Sequence, residues 1–138
     1  MGVVLIVEDE VFIRQAAEWI VGDLGHETLT AADLSEALAH LNRAQPIDAL
    51  FVDIRLDQVA LGGYDVANEI VKFWPDLRVL YTSGSPLTPD MGEQFTRGGQ
   101  FIQKPYSSHE LETSIDDLFR LGPDQFGQAA PNPVVCRA

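Results

Sequence analysis

The stretch "VLIVEDE" at residues 4–10 runs from four apolar residues directly into three acids, Glu8, Asp9 and Glu10. A short and continuously apolar run is typical of a strand that is buried on both faces of a parallel sheet. Acids at the end of a strand are most often solvated surface residues, so their meaning depends on what else the fold places beside them. The stretch therefore predicts a central strand whose carboxyl end carries negative charge.

Similar apolar runs recur along the chain at "HETLTA" (26–31), where the pattern is weaker, "ALFVD" (49–53), "LRVLYT" (77–82) and "QFIQ" (100–103). The segments between them carry apolar residues three or four positions apart, which is typical of amphipathic helices. Residues 85–99 have little such periodicity, and their place between two strands predicts a short, weakly packed helix. Five strand and helix units in a row predict an α/β fold, a doubly wound five-stranded parallel sheet with helices on both faces.

Local signals predict where two of the helices begin. Asp33 or Ser35 is expected to cap the second helix, and Ser107 with Glu110 three residues later predicts a capping box at the last one. Trp19 lies in the first helical segment, and we predict that it is a partly buried packing residue.

Length and composition favour one folded domain. The 138 residues include 46% hydrophobic and 22% charged residues, close to ordinary globular usage. We predict a domain over residues 1–121, followed by a mobile tail over 122–138 that has three prolines and no helical period. The tail holds the single cysteine, Cys136, so no disulfide framework is expected.

The balance of charged residues restricts the kinds of partner that the protein can bind. Nine Lys and Arg stand against 21 Asp and Glu, giving a formal charge of −12, which argues against direct nucleic-acid binding. The first apolar run is short and has no basic leader, and no run approaches membrane-spanning length. We therefore predict a cytoplasmic protein that does not bind membranes.

Four of the five predicted strands end in a polar or charged residue. Glu8 and Asp9 follow the first strand, Asp53 ends the third, Thr82 ends the fourth and Lys104 follows the fifth. The carboxyl ends of parallel strands meet at one edge of the sheet, where doubly wound folds carry their ligand sites. The sequence therefore predicts that these side chains form one site.

Three carboxylates at one edge repel one another by roughly 3 kcal/mol per pair at ~5 Å and an effective dielectric near 20. A hard divalent cation offsets this repulsion better than one lysine, and Mg²⁺ prefers an oxygen shell with one or two carboxylates. Asp9 and Asp53 are the natural direct ligands, with Glu8 placed to hold a coordinated water. Lys104 and the Thr82 hydroxyl suit a phosphoryl group, and an Asp carboxylate is a known phosphoryl-accepting nucleophile. The predicted chemistry is Mg²⁺-dependent phosphorylation of Asp53.

The motifs "VLIVEDE", "ALFVDIRL", "VLYTSG" and "FIQKPY", in this order, resemble the receiver domain of two-component response regulators. The resemblance covers about residues 2–121 and implies a flavodoxin-like, CheY-like fold with strand order 2-1-3-4-5. It implies that Glu8 and Asp9 form the acid pair that binds Mg²⁺, and that the backbone carbonyl of Arg55 is a further metal ligand. By the same resemblance Asp53 is the phosphoacceptor.

The resemblance also implies a switch. Thr82 matches the switch hydroxyl, Lys104 the phosphate-contacting lysine and Phe101 the aromatic switch residue, and the Lys104–Pro105 bond is expected to be cis. Residues 53–67 depart from the family pattern, because they lack the usual proline after the phosphoacceptor and run longer before the next glycine. We interpret Asp57, within this stretch, as a loop residue rather than a metal ligand.

The resemblance also implies a partner that donates the phosphoryl group, either a sensor histidine kinase or a histidine phosphotransfer protein. A downstream protein target then reads the surface of helix 4, strand 5 and helix 5, through which a homodimer is also possible. The resemblance predicts a stand-alone receiver, and leaves open whether it acts as a switch, a relay or a phosphate sink. It predicts no enzyme beyond self-catalysed phosphorylation and dephosphorylation.

Two other functions compete with this interpretation. A Mg²⁺-dependent phosphohydrolase would use the same aspartyl phosphate, but haloacid-dehalogenase-type enzymes need a second Asp two residues after the nucleophile, where this chain has Arg55. A receiver-like binding module that is never phosphorylated is the third possibility. The intact set of acids, hydroxyl and lysine counts against it.

Overall fold

The computed structural model describes residues 2–42, 46–56 and 62–120, in which strands and helices alternate as the sequence predicts. The predicted tail with Cys136, the boundary at residue 121 and the prediction for Asp57 lie outside these residues. The strands are β1 (Val3–Val7), β2 (Glu27–Ala31), β3 (Ala49–Asp53), β4 (Arg78–Ser83) and β5 (Gln100–Gln103). The helices are α1 (Val11–Asp23), α2 (Leu34–Ala39), α3 (Gly62–Phe73), α4 (Pro89–Glu93) and α5 (Ser108–Arg120), with a 3₁₀ turn at His40–Asn42.

The five strands form one parallel sheet in the order β2-β1-β3-β4-β5. From β1 the chain first adds β2 on one side and then crosses to β3 on the other, so the winding reverses between β1 and β3. In sheets of this kind the crevice for ligands lies at that reversal, outside the carboxyl ends of the strands. The predicted fold is confirmed, and the reversal places Glu8, Asp9 and Asp53 at its crevice.

Alternation along the strands divides the core into two layers. In β1, Val3, Leu5 and Val7 face the layer built with α2 and α3, whereas Val4 and Ile6 face the layer built with α1 and α5. Successive strand residues point to opposite faces, so a sheet with helices on both sides needs apolar residues at every position. This explains why β1 and β3 are buried throughout.

The predicted helix caps are present. The Asp33 carboxylate accepts a hydrogen bond from the Glu36 N–H at 2.9 Å and begins α2. At α5, the Glu110 N–H donates to Ser107 Oγ at 3.0 Å, and the Ser107 N–H donates to Glu110 Oε1 at 2.8 Å. Because each member satisfies an otherwise unpaired N–H, this capping box fixes the start of α5.

Two predictions about helices have different outcomes. The segment between β4 and β5 forms only the five-residue α4, which has no buried residue, as expected for a weakly packed helix. The prediction for Trp19 is wrong, because its side chain is 78% exposed. Ala17 and Val21 are the buried residues of α1 and face the sheet. Trp19 lies two positions from each of them, about half a turn around the helix, so its side chain points outwards.

No helix in the described part of the chain is long and apolar enough to cross a bilayer.

The close approach of α3 to β3 requires a glycine. A Cβ added to Gly63 would lie 2.2 Å from the Asp53 carbonyl oxygen and 2.7 Å from Ile54 Cα, and neither backbone atom can turn aside. The Gly63 N–H also donates to the Ile54 carbonyl at 2.8 Å. Gly63 therefore lets the first turn of α3 lie directly against the backbone that carries Asp53.

We expect Gly63→Ala to lower the free energy of unfolding by about 1–3 kcal/mol, because the added methyl overpacks a backbone contact. The matched control is Gly22→Ala in α1, where a Cβ would meet nothing within 4 Å. Removing a glycine from a helix interior there should raise stability by about 0.5–1 kcal/mol. Urea unfolding followed by circular dichroism measures both. A Gly63→Ala variant as stable as Gly22→Ala would contradict this packing.

Candidate functional site

Asp53 ends β3 with its carboxylate buried and held on both oxygens; the residue is 5% exposed. Its Oδ2 lies 2.7 Å from Lys104 Nζ, and its Oδ1 accepts a hydrogen bond from the Arg55 N–H at 3.0 Å. Burial of a carboxylate is unfavourable unless charge and hydrogen bonds compensate it. The lysine and the main-chain N–H together allow Asp53 to stay buried and face the crevice.

Glu8 shares the same lysine. Its Oε1 lies 2.9 Å from Lys104 Nζ, and its Oε2 accepts a hydrogen bond from the Glu10 N–H at 3.2 Å. Burial is the largest cause that raises the pKa of Glu8 to about 7, with the nearby Asp53 charge adding to it against the lowering effect of Lys104. The carboxyl group of Glu8 therefore holds its proton to a higher pH than an exposed glutamate does.

Lys104 is the cation that joins the two acids. Burial by itself lowers the pKa of its ammonium group, but the hydrogen bonds and charges of Asp53 and Glu8 outweigh burial and raise it. The lysine side chain is 17% exposed, so solvent screens these contacts only partly. Lys104 thus remains a fixed positive charge between two carboxylates.

Asp9 completes a cluster of three acids. One carboxylate oxygen from each of Glu8, Asp9 and Asp53 lies within 4.8 Å of the others. Asp9 is half-buried, whereas the other two are buried, so the cluster is open to solvent on the Asp9 side. Carboxylate oxygens at this spacing, with room for waters on one side, are the donor set that suits Mg²⁺. Among the described residues, these three acids form a cluster that could hold a divalent cation, and their role as metal ligands stays a prediction.

Thr82 lies beside Asp53 on the neighbouring strand, since β3 and β4 pair Asp53 with Thr82. Thr82 is 2% exposed, and its Oγ1 is buried without a hydrogen-bond partner among the residues that the structure describes. A buried hydroxyl without a partner loses roughly 1–3 kcal/mol relative to one that is satisfied. The crevice therefore contains an unused hydrogen-bond donor next to Asp53.

The remaining predicted residues take different places. The Lys104–Pro105 bond is cis, as expected. Phe101 is buried and stacks against Phe95, with ring centroids 6.3 Å apart, away from the carboxylate cluster. Its role as a switch, and that of the Arg55 carbonyl as a metal ligand, stay predictions.

Sequence reasoning missed Arg14 near the site and interpreted Tyr106 as a packing residue that could also help form a partner surface. Arg14 in α1 donates a hydrogen bond to the Glu8 carbonyl at 2.9 Å and so holds the main chain that carries the acids. Tyr106, interpreted from sequence as a packing residue, lines the same small pocket as Glu8, Asp53 and Thr82. Burial, followed by the Glu8 charge, raises the pKa of Tyr106 to about 12, so its phenol stays protonated. The sequence offered only the position of each residue as a sign that it lies near the site. Arg14 is one turn into α1, and Tyr106 is two residues after Lys104.

Comparison with known families and proteins agrees with this geometry. Residues 4–116 match the family model of the response regulator receiver domain. A probable transcriptional regulator, ycf27 of Guillardia theta, is 31% identical over 117 residues, which are 85% of this chain and 45% of that protein. The probable transcriptional regulatory protein TcrX of Mycobacterium tuberculosis is 29% identical over 118 residues, which are 85% of this chain and 49% of TcrX. This chain thus spans about half the length of the curated relatives it matches.

A solved structure with the same fold has a higher sequence identity to this chain than these two relatives. The receiver domain of NtrX from Brucella abortus superposes with a TM-score of 0.72 at 36% identity, covering 85% of this chain and 98% of that domain. A CheY-like receiver domain protein from Methanospirillum hungatei JF-1 gives a TM-score of 0.74 at 21% identity, which supports the fold alone. The strand order and the helices on both faces are those of CheY-like receivers.

The raised pKa of Glu8 predicts a pH dependence of stability in metal-free protein. Between pH 4.5 and about 7 the folded state holds a proton that the unfolded state has lost, so raising the pH through this window lowers the free energy of unfolding. Glu8→Gln has no such group. We expect its stability relative to wild type to rise by on the order of 3 kcal/mol between the two ends of the window.

Urea unfolding in the presence of a chelator, repeated at several pH values, measures this difference. Glu10→Gln is the matched control, because it removes an exposed acid two residues away. Its stability should run parallel to wild type across the window. Curves for Glu8→Gln that also run parallel to wild type would refute the assignment of this proton to Glu8.

Proposed function

The chain belongs to the family of response regulator receiver domains, and on that premise we propose that Asp53 accepts a phosphoryl group from a phosphohistidine in a partner protein. We propose that Mg²⁺ bound to Glu8, Asp9 and Asp53 is required, with the Arg55 carbonyl as a further ligand. The phosphoryl group then changes the surface formed by α4, β5 and α5. A downstream protein reads that surface.

One observation carries this proposal. Asp53 is held between Lys104 and the Arg55 N–H, while the unpartnered Thr82 hydroxyl lines the same pocket. A phosphoryl group on Asp53 would bring three new oxygens close to these groups. The lysine and the hydroxyl are donors suited to such oxygens, and the hydroxyl has no other partner among the described residues.

The transfer itself is a displacement at phosphorus. An electron pair on a carboxylate oxygen of Asp53 forms the O–P bond, while the P–N bond to the donor imidazole breaks and its electron pair stays on that nitrogen. The imidazole leaves as a neutral ring when its other nitrogen carries a proton. Mg²⁺, when bound, supplies positive charge that balances the oxygens of the phosphoryl group during transfer.

The chain's own residues orient the reactants. Lys104, 2.7 Å from Asp53, supplies a compact cation that can contact a phosphoryl oxygen without a large movement. The Arg55 N–H fixes the rotation of the Asp53 carboxylate, and the Glu10 N–H does the same for Glu8. These main-chain contacts position the acids before a donor arrives, which lowers the cost of reaching the reactive geometry.

A protein donor fits the surroundings of the site. Val11 and Phe12 follow Glu10 directly, and Phe12 is 84% exposed. We propose that the donor contacts this apolar pair, which is the kind of contact that a protein surface provides. The relatives named as transcriptional regulators are about twice the length of this chain.

The competing phosphohydrolase is less consistent with the structure. Such an enzyme needs a carboxylic acid two residues after the nucleophile, and the side chain there is an exposed arginine, Arg55. We therefore propose slow, self-catalysed loss of the phosphoryl group rather than turnover of a small metabolite.

Phosphorylation of Asp53 can be tested by intact-mass measurement. After incubation with Mg²⁺ and acetyl phosphate, wild type should gain the mass of one phosphoryl group. Asp53→Asn should gain none, because its amide is not a nucleophile of this kind. Asp65→Asn, which removes an exposed carboxylate from the first turn of α3, should behave as wild type. An equal gain in Asp53→Asn would place the phosphoryl group elsewhere.

Binding of Mg²⁺ should stabilise the folded protein. At a concentration ~100 times the dissociation constant, a ligand that binds only the folded state raises the free energy of unfolding by about 2.7 kcal/mol. We expect thermal unfolding of wild type to shift upwards accordingly with Mg²⁺, and the shift to be lost in Asp9→Asn. Glu10→Gln should keep the full shift, because its side chain is not part of the cluster. An undiminished shift in Asp9→Asn would argue against the assigned ligands.

A further inference from the structure

The turn that follows α4 rests on Tyr81, a fully buried tyrosine of β4. The Thr96 N–H donates a hydrogen bond to the Tyr81 hydroxyl at 2.9 Å, and that hydroxyl lies 3.4 Å from Thr96 Oγ1. The Tyr81 ring stacks on Phe95, with ring centroids 4.1 Å apart and planes 15° apart. Burial raises the pKa of the Tyr81 phenol above its ordinary value, so the hydroxyl stays protonated. Tyr81 therefore contacts one residue of the turn through its ring and the next through its hydroxyl.

The position of α4 depends on contacts of this kind, because the helix itself packs weakly. It has five residues, none of them buried, and a helix this short is not stable on its own. A second phenol, that of Tyr64 in α3, lies 3.4 Å from the Met91 carbonyl of α4. That distance is longer than an ordinary O–H···O hydrogen bond, whereas the 2.9 Å between Thr96 N and the Tyr81 hydroxyl is ideal. The bond to Tyr81 is thus the stronger of the two.

Strand β4 connects Tyr81 with the acidic crevice. Thr82 is the next residue of the strand and pairs with Asp53 of β3. Successive strand residues point to opposite faces, so Thr82 lies in the layer of α1 and α5, whereas Tyr81 lies in the layer of α2 and α3. A shift of about 0.5 Å in the main chain of β4 would take the Tyr81–Thr96 contact beyond hydrogen-bond range. A response of Thr82 to a group on Asp53 can therefore reach the turn after α4.

We propose that the hydrogen bond between the Tyr81 hydroxyl and the Thr96 N–H is a latch that holds α4 in the unphosphorylated protein, and that phosphorylation of Asp53 releases it through β4. The release rests on the proposed function, whereas the latch does not. Phe101 pairs with Tyr81 across β4 and β5 and also stacks on Phe95, but it has no hydroxyl. Of these two paired aromatic residues, Tyr81 alone can gain or lose a hydrogen bond to Thr96.

Tyr81→Phe opens the latch without removing the ring. The stack on Phe95 is kept, and the Thr96 N–H loses its acceptor. A typical net hydrogen bond corresponds to about a fivefold change in an equilibrium constant, so the released arrangement should be about fivefold more populated. Coupling between two sites is reciprocal for binding free energies. A variant that already favours the released arrangement should therefore bind a phosphoryl analogue more tightly.

Hydrogen exchange followed by NMR tests the latch in the full chain without Mg²⁺ or donor. We expect the Thr96 amide of Tyr81→Phe to exchange at least about fivefold faster than in wild type. The matched control is Tyr64→Phe, which removes the phenol with the longer contact and should change that rate less than about twofold. The Leu5 amide of β1 reports global unfolding, and circular dichroism checks the fold. An unchanged Thr96 rate in Tyr81→Phe, or an equal rise in both variants, would overturn the latch.

Calorimetric titration with beryllium fluoride, a phosphoryl analogue, in the presence of Mg²⁺ tests the release. We expect Tyr81→Phe to bind the analogue about threefold or more tightly than wild type, and Tyr64→Phe to bind it as wild type does. Equal or weaker binding by Tyr81→Phe would overturn the release. Wild type that neither binds the analogue nor gains mass with acetyl phosphate would overturn the proposed function and the release together. The exchange rate of Thr96 then decides the latch by itself.

Discussion

The ion pairs of Lys104 with Glu8 and Asp53 are the interaction on which the site depends. Parallel strands bring their carboxyl ends to one edge of the sheet, and here that edge collects three acids within 4.8 Å. One ammonium group, 2.9 Å and 2.7 Å from two of them, balances part of this charge. Burial and the nearby Asp53 charge still raise the pKa of Glu8 in spite of that lysine.

The sequence predicted the fold and the members of the site because both follow from short-range patterns. Apolar runs mark the buried strands, and polar residues at their ends, such as Asp53 and Thr82, converge once the strands are parallel. The capping box at Ser107 and Glu110 was equally readable, since it is made within one turn. For these features, the residues that the local pattern favours are the same ones that the tertiary structure needs.

The features that could not be predicted from the sequence are contacts between separate helices and strands. The contact of Gly63 with the Asp53 backbone follows from how closely α3 approaches β3, which no local pattern encodes. The hydrogen bond from Arg14 to the Glu8 carbonyl depends on how α1 turns back over the end of β1. Trp19 was misjudged because hydrophobicity was taken as burial, although its angular position on α1 points it away from the sheet.

The crevice is continuous with the layer between the sheet and α5 through Thr82. Thr82 pairs with Ile102 across β4 and β5, and Leu80 lies two residues before Thr82 on the same face of β4. The hydroxyl in the crevice is therefore next to two buried apolar residues, Leu80 and Ile102. Because a packed core does not deform continuously, a movement of Thr82 towards a new partner must be accommodated by its strand neighbours. Proximity along two strands thus gives the site a direct physical route to β5 and to the side of α5 that packs on it.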